Sequence, residues 1–476
     1  MYSTNTNQWI IHVRRSIDED DDPEIYGIDA ISIFTAPKPR IQTRPQCYAP
    51  RLVAIGPYRY LSPELQMMQI HKTLVARRLR MKQAEGFKFQ TLVDHLSGYE
   101  RKIRSRYDRI LAAIDGESLA WIVAVDSCFL LEFLTSRRDP DVVRDVMVME
   151  NQIPLFVLRE TNEFLSKTGN DRIRLDEIAA AFCDEIAPIK SRTGVETGRE
   201  ADHLLDLLYG MMIPKWDTGG GEVGGGGGDE KTTSLHGIVL SSAKRLAFSR
   251  PVIFAAKLWL GFVCSFWGLV IVKRIGESIM GGGIVGREFP SASELPRSGI
   301  GFSVADCGIM GIRFDEAAKI LYLPVITLDN NSEVIIRNLM AYESCVAGSG
   351  PRIFCGYVEF MSKIVVAGED VKVLREQGIV VNDMRCGDEG VAKLWNEMID
   401  DGGERSELTR LPFLDVVIRK VGECYDGSCR VGVGKLFATR GSRSRQSMIA
   451  MATVVVVVFV AVQGICSLLA LARRKN

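Results

Sequence analysis

Five histidines, His12, His71, His95, His203 and His236, are the side chains whose ordinary pKa suits proton transfer near neutrality, and all lie in the first half of the sequence. Catalysis would need a nucleophile or carboxylate within hydrogen-bond reach of one of them, and neither HExxH nor a GxSxG elbow supplies it locally. A site assembled only in space stays open. Its mark would be His71, His95 or His203 beside Cys128 or an acid in a pocket. Lone histidines more often serve the surface or the core, so the expectation is a protein without catalytic residues. The 11 cysteines show no CxxC pair and no zinc-type spacing, which predicts reduced thiols in a cytosol-like compartment and no metal.

Phosphate chemistry is also poorly provided for. Gly281, Gly283 and Gly286 match GxGxxG, but Pro290 follows too soon for the helix that such a loop must open. Gly432 to Lys435 reads GVGK, yet Cys429 and Leu436 stand where a P-loop needs glycine and a hydroxyl. No cofactor is expected. Glu150, Asn151 and Gln152 offer donors and acceptors that could hold a ligand at a bend. With Pro154 just beyond, their simpler role is to satisfy backbone groups that the proline frees. From His71 to Arg109 there are eleven Lys or Arg against four acids. That stretch could face acidic lipid headgroups or the chain's own Asp18 to Asp22 tract, with solvated helix faces as the plainer reading.

Composition sets the frame for these groups. With 59 basic and 59 acidic residues among 476, no chain-wide field exists to draw the protein onto nucleic acid, and none is expected as a partner. At 46% hydrophobic and 25% charged the chain is globular. Met1 to Ile17 never assembles an apolar signal segment, so synthesis is expected to start in the cytosol. Met448 to Ala472 is the opposite case: 25 residues without a charge, with a pentavaline whose middle is Val456. At ~1.5 Å per residue it covers a hydrocarbon core of about 30 Å, and it is read as a single transmembrane helix. Flanking arginines and lysines balance three against three, so they do not orient it. Val252 to Val272 is interrupted by Lys257, and Leu119 to Leu134 carries Asp126 and Glu132; the first fits an interfacial helix and the second a core helix.

Along the chain, residues 1–32 form an acidic, flexible lead-in. The pattern then is mainly helical to about Trp216. One helix opens with Asp139 as N-cap and Pro140 in its first turn and places Val142, Val143, Val146 and Met147 on one face. Thr218 to Gly228 is a glycine linker that begins an insertion of glycine-rich and apolar residues, 218–288. Alternation at Ile312, Phe314, Ile320 and Tyr322 about a turn at Asp315 to Lys319 predicts a small β-hairpin. Val391, Leu394, Trp395 and Met398 make an apolar helical stripe. The expected fold class is therefore mainly α, with a hairpin, in a helical cytosolic domain split into 33–217 and 289–438 and followed by the transmembrane helix 448–472.

Several of these segments carry a resemblance. IGPY at Ile55 to Tyr58, DSCFLLEFL at Asp126 to Leu134 and RDVMVMENQIPLFVL at Arg144 to Leu158 resemble the plant proteins of domain of unknown function 247. HLLDLL at His203 to Leu208, PSASEL at Pro290 to Leu295, IRNLMAYESC at Ile336 to Cys345 and GDEGVAKLWN at Gly387 to Asn396 continue it in the family's order over about 33 to 400. The resemblance implies a plant-specific helical domain, commonly with a C-terminal membrane helix and without established catalysis. Some relatives act as pollen-side determinants of grass self-incompatibility. The chain departs from the family in the 218–288 insertion and in Tyr425 to Arg445, which replaces an aromatic block. The expected function is recognition or scaffolding through protein partners at a membrane; pollen or cell-surface recognition and a hydrolase with a spatially assembled site are the alternatives.

Overall fold

The longest helix whose side chains are all described is mostly buried, which decides its role. The computed structural model describes residues 31–83, 85–109, 111–136, 138–167, 173–190, 201–213, 289–348, 350–399 and 411–440, with no side-chain description for 399 and 429–440. In the first stretches lie helices α1 (Lys38–Thr43), α2 (Gln66–Met81), α3 (Phe89–Ser97), α4 (Glu100–Ser105), α5 (Gly116–Thr135), α6 (Pro140–Val146), α7 (Leu155–Lys167), α8 (Leu175–Ile186) and α9 (Leu204–Met212). Helix α5 is long and apolar enough to cross a membrane. It packs instead against α2, α3, α7 and α8, and Leu119, Val123, Cys128, Leu130 and Leu134 are all buried. The expectation of a core helix at Leu119 to Leu134 holds. Its start is fixed by Asp115, whose carboxylate accepts the Ser118 N–H at 2.8 Å, an N-cap that satisfies an otherwise orphan donor.

After the insertion come strands β1 (Gly301–Val304), β2 (Arg313–Asp315), β3 (Ile320–Leu323) and β4 (Ile326–Leu328) and helices α10 (Ser332–Val346), α11 (Ile353–Ile364) and α12 (Gly368–Glu376). Strand β5 (Val380–Asn382) and helices α13 (Gly387–Ile399) and α14 (Pro412–Arg440) complete the described order. The predicted hairpin is present: β2 and β3 run antiparallel with Phe314 opposite Leu321 and Asp315 opposite Ile320. Its turn is set by Asp315, whose side chain accepts the Ala317 and Ala318 N–H groups at 2.9 and 3.0 Å, and by Lys319 in the left-handed region at φ 54°. What the alternation did not reveal is that β3 also takes β1 as a parallel neighbour, and that β4 and β5 form a second, parallel sheet closed over α10 to α12. The protein is mainly helical, with two small sheets among the described residues.

The described residues on either side of 218–288 share one apolar core. Helix α10 lies inside that core along most of its length, from Val334 to Glu343. It reaches the first half through polar bonds: Asn338 accepts the Met149 N–H at 3.0 Å and donates to the Cys47 carbonyl at 2.8 Å. Strand β4 does the same through its backbone, since the Thr327 N–H donates to the Pro188 carbonyl at 2.8 Å. The expected stripe on α13 is buried at Val391, Leu394, Trp395 and Met398. GVGK falls inside the continuous helix α14, so its backbone forms no phosphate loop. Met448, Val456 and Ala472, the lead-in 1–30, His12, His236, the 218–288 insertion with Val252 to Val272 and its GxGxxG lie outside the described residues.

Candidate functional site

Helix α6 begins as the sequence predicts, with the Asp139 carboxylate accepting the Asp141 N–H at 2.9 Å and Pro140 in the first turn. It is not half-exposed, however. Arg144 and Asp145 are as buried as Val142 and Val146, and they pair with each other at 2.6 Å. Asp145 holds three successive backbone donors, Arg51 N at 2.9 Å, Leu52 N at 2.5 Å and Val53 N at 3.0 Å. Asn151 accepts Ile55 N at 2.7 Å and gives its amide hydrogens to the Val53 and Asp145 carbonyls at 2.9 Å each. Asp126 on α5 accepts Gly56 N at 2.7 Å. Lys72 on α2 pairs with Asp126 and donates to the Ala54 carbonyl at 2.8 Å. Buried backbone donors and acceptors must find partners, and here side chains do what a neighbouring strand does in a sheet. Along 51–56 the backbone takes its partners from Asp145, Asn151, Asp126 and Lys72.

The same logic explains the glycine of IGPY. Gly56 sits at φ +76°, and a Cβ there would stand 2.5 Å from the Gln152 carbonyl oxygen. No side chain fits that approach. Glu150 accepts the Ala36 N–H at 3.0 Å and the Arg59 guanidinium at 2.6 Å. Gln152 donates to the Val146 and Val148 carbonyls at 2.5 and 3.0 Å, while its oxygen accepts Leu205 N at 3.4 Å. Pro154 is buried at the entry to α7. The expected structural role of Glu150, Asn151 and Gln152 is right in kind and wrong in address. Most of the groups they satisfy lie on segments about 50 to 115 residues away, with the proline itself opening a helix.

None of the three described histidines meets Cys128. His203 is buried as the N-cap of α9, with Nδ1 accepting the Asp206 N–H at 3.2 Å and Nε2 at 2.9 Å from the Ser32 carbonyl, an arrangement of a neutral ring. His95 lies 3.2 Å from Glu160 and stacks on Phe164. His71 meets the Phe129 ring edge-on and lines a cleft of about 270 Å³ floored by Met68, Phe129, Phe133 and Val142. Glu132 and Asp139 also line it, though Glu132 pairs with Arg78 and Asp139 caps α6. Burial pushes the Cys128 thiol up to about 12, and Cys47 up to about 11, far from the thiolate a nucleophile needs. Among the described residues no group of His, Cys, Asp and Glu could hold a metal ion.

Sequence reasoning passed over Lys72, Asp126, Asp145, Asn338 and Glu343, the residues that tie the core together. For Asp126 and Asn338 the signal was a polar pair breaking an apolar run, Asp126-Ser127 within Ile122 to Leu131 and Arg337-Asn338 within Val334 to Ala341. Glu343 accepts Phe354 N at 2.8 Å, Cys355 N at 2.7 Å and the Tyr209 hydroxyl at 2.8 Å.

The family model for DUF247, described as "Plant protein of unknown function", matches residues 33–459. The chain belongs to this plant family. The match runs beyond the motif blocks, through the Tyr425 to Arg445 stretch. A UPF0481 protein of Arabidopsis thaliana is 32% identical over an alignment of 511 positions that covers 96% of this chain and 94% of the relative. A second Arabidopsis thaliana UPF0481 protein is 31% identical over 211 positions, 40% of this chain and 43% of that one. No solved structure matches the chain. In this DUF247 protein the ENQIP block, the most distinctive of the motifs, is thus an internal brace.

Proposed function

We propose that this DUF247 protein is a membrane-anchored recognition or scaffolding protein that works through protein partners and not through catalysis. The observation that supports this is the use made of the family motif: Glu150, Asn151 and Gln152 are all at most 4% exposed, with Asn151 and Gln152 committed to backbone groups and Glu150 to the Ala36 N–H and the Arg59 guanidinium. A motif spent on rigidity leaves the surface, not an internal pocket, to vary between partners. The anchor is Met448 to Ala472, and the domain stands in the cytosol. Supporting that topology, 31–213 and 289–428 share a core, so a single crossing at Val252 to Val272 would tear it apart. Proximity labelling by the full chain in plant cells tests the reading. Enrichment of a defined set of cytosol-facing proteins supports it, and labelling confined to lumenal proteins would refute it.

A hydrolase remains the second reading because His71 lines a cleft with Glu132 and Ser136. Covalent labelling of the full chain by serine-hydrolase or cysteine-hydrolase probes, abolished by His71→Ala, would favour it over scaffolding.

A further inference from the structure

Half of the exposed large hydrophobic side chains among the described residues, five of ten, fall between 61 and 81. Four of them belong to α2: Met67 is 79% exposed, Ile70 62%, Leu74 47% and Met81 73%. At 3.6 residues per turn these four lie within an arc of about 60°, spread over about 21 Å of helix. The opposite side, with Lys72, Val75 and Ala76, faces the core. A helix with a core face and a second apolar stripe on its outside is the exception for a soluble surface, where exposed hydrophobics stand singly. The polar residues around the stripe are of one sign. Helix α2 holds Arg77, Arg78 and Arg80 exposed and no acid. Arg78 pairs with Glu132, but among the described residues no carboxylate pairs with Arg77 or Arg80. The nearest acids in sequence, Glu64 and Glu85, lie beyond the helix ends.

We propose that this face of α2 lies on an anionic lipid surface, with Met67, Ile70, Leu74 and Met81 in the headgroup boundary and Arg77 and Arg80 on phosphates and carboxylates. Apolar stripe plus flanking arginines is the pattern by which a helix rests in a bilayer interface. The inference rests on the anchored reading above, in which residues 441–447 keep the end of α14 within about 25 Å of the span and so hold the domain beside a membrane. Tethering raises the local concentration of lipid, so two arginines and a modest stripe suffice where they would not for a free protein.

Oxidative footprinting of the full chain in vesicles decides it, since Met67 and Met81 are themselves the reporters. In phosphatidylcholine with phosphatidylserine both methionines become protected, while buried Met147 and Met149 stay unreactive throughout and certify the fold. Arg77→Gln and Arg80→Gln each lower the ratio of protected to reactive chain roughly fivefold, from about 1 kcal/mol per basic residue at an anionic surface. Equal reactivity in phosphatidylcholine with and without phosphatidylserine would overturn the proposal. So would protection that appears only in native microsomes, which would assign the face to a protein partner. Carbonate extraction of the same vesicles reads the anchor separately: a chain that washes off refutes the anchored reading, and one that stays with reactive Met67 and Met81 refutes only the lipid face.

Discussion

Lys72 and Asp126 neutralise each other where both side chains are at most 2% exposed, so neither tolerates the loss of its partner. Burial raises the carboxyl of Asp126 against the pull of the Lys72 ammonium and the Gly56 N–H. Lys72→Met leaves that carboxylate without its counter-ion and the Ala54 carbonyl without its donor and should cost about 3–5 kcal/mol. Pairing it with Asp126→Leu removes the uncompensated charge but leaves the Gly56 N–H and the Ala54 carbonyl without partners, so it should return only part of the loss; denaturant midpoints of the single and double variants check this. Thiol chemistry provides a second residue-scale test. Cys128, Cys183 and Cys355 are buried with their thiols pushed up by burial, whereas Cys307 and Cys386 are exposed. Site-by-site mass spectrometry after brief alkylation of the native chain should find label on Cys307 and Cys386 and none on the other three. Fast labelling of Cys128 would contradict the core placement of α5.

Among the elements, α12 carries a pH dependence whose sign follows from its contacts. Its first-turn residue Asp370 accepts Ala367 N at 2.9 Å, Val366 N at 3.0 Å and, from the PSASEL segment, Ser293 N at 2.8 Å. Burial alone would raise this carboxyl, but the N–H groups of Ala367 and Ser293 overcome it and hold it below the usual carboxylate value. A group lowered on folding adds stability above its unfolded pKa of about 3.9 and loses it as pH falls through the folded value. Asp370→Asn should therefore be less stable than the natural chain at pH 6, and the gap between their urea midpoints should narrow from about pH 5 downward. The cap of α6 is a smaller matter: Asp139→Ala removes one bond at an exposed end and should cost about 1 kcal/mol by thermal unfolding.

For the whole molecule the shared core sets the topology. Asn338 bridges α10 to Met149 and Cys47, Tyr342 donates to Asp206 at 2.8 Å, and β4 meets Pro188. Both flanks of 218–288 therefore stand on one side of any membrane. Deleting Met448 to Asn476 should release the protein from carbonate-washed membranes; a truncated chain that stays would mean that Val252 to Val272 holds it. Asn330, in the sequon Asn330-Asn331-Ser332, is exposed at the end of β4, so it would accept a glycan if it reached the lumen. The cytosolic reading predicts none. An endoglycosidase-sensitive mobility shift in plant cells, lost in Asn330→Gln, would overturn it.

The sequence by itself determined what local chemistry and periodicity dictate. Asp139 and Pro140 fix the start of α6, the stripe of α13 names its buried face, Asp315 sets the hairpin turn, and the motif blocks announce the family. A period of 3.6 or 2 states which side of an element is apolar, but not what covers it. Only the tertiary structure decided that β5 pairs with β4 across three helices, because strands of three residues carry no readable alternation. It also decided the roles of the buried polar residues. Asn338 meets the Cys47 carbonyl 291 positions away and Glu150 meets Ala36 N across 114, distances at which no spacing rule operates. Their partners are fixed by the need of buried backbone groups for hydrogen bonds, and that need exists only once the surrounding apolar surfaces have closed.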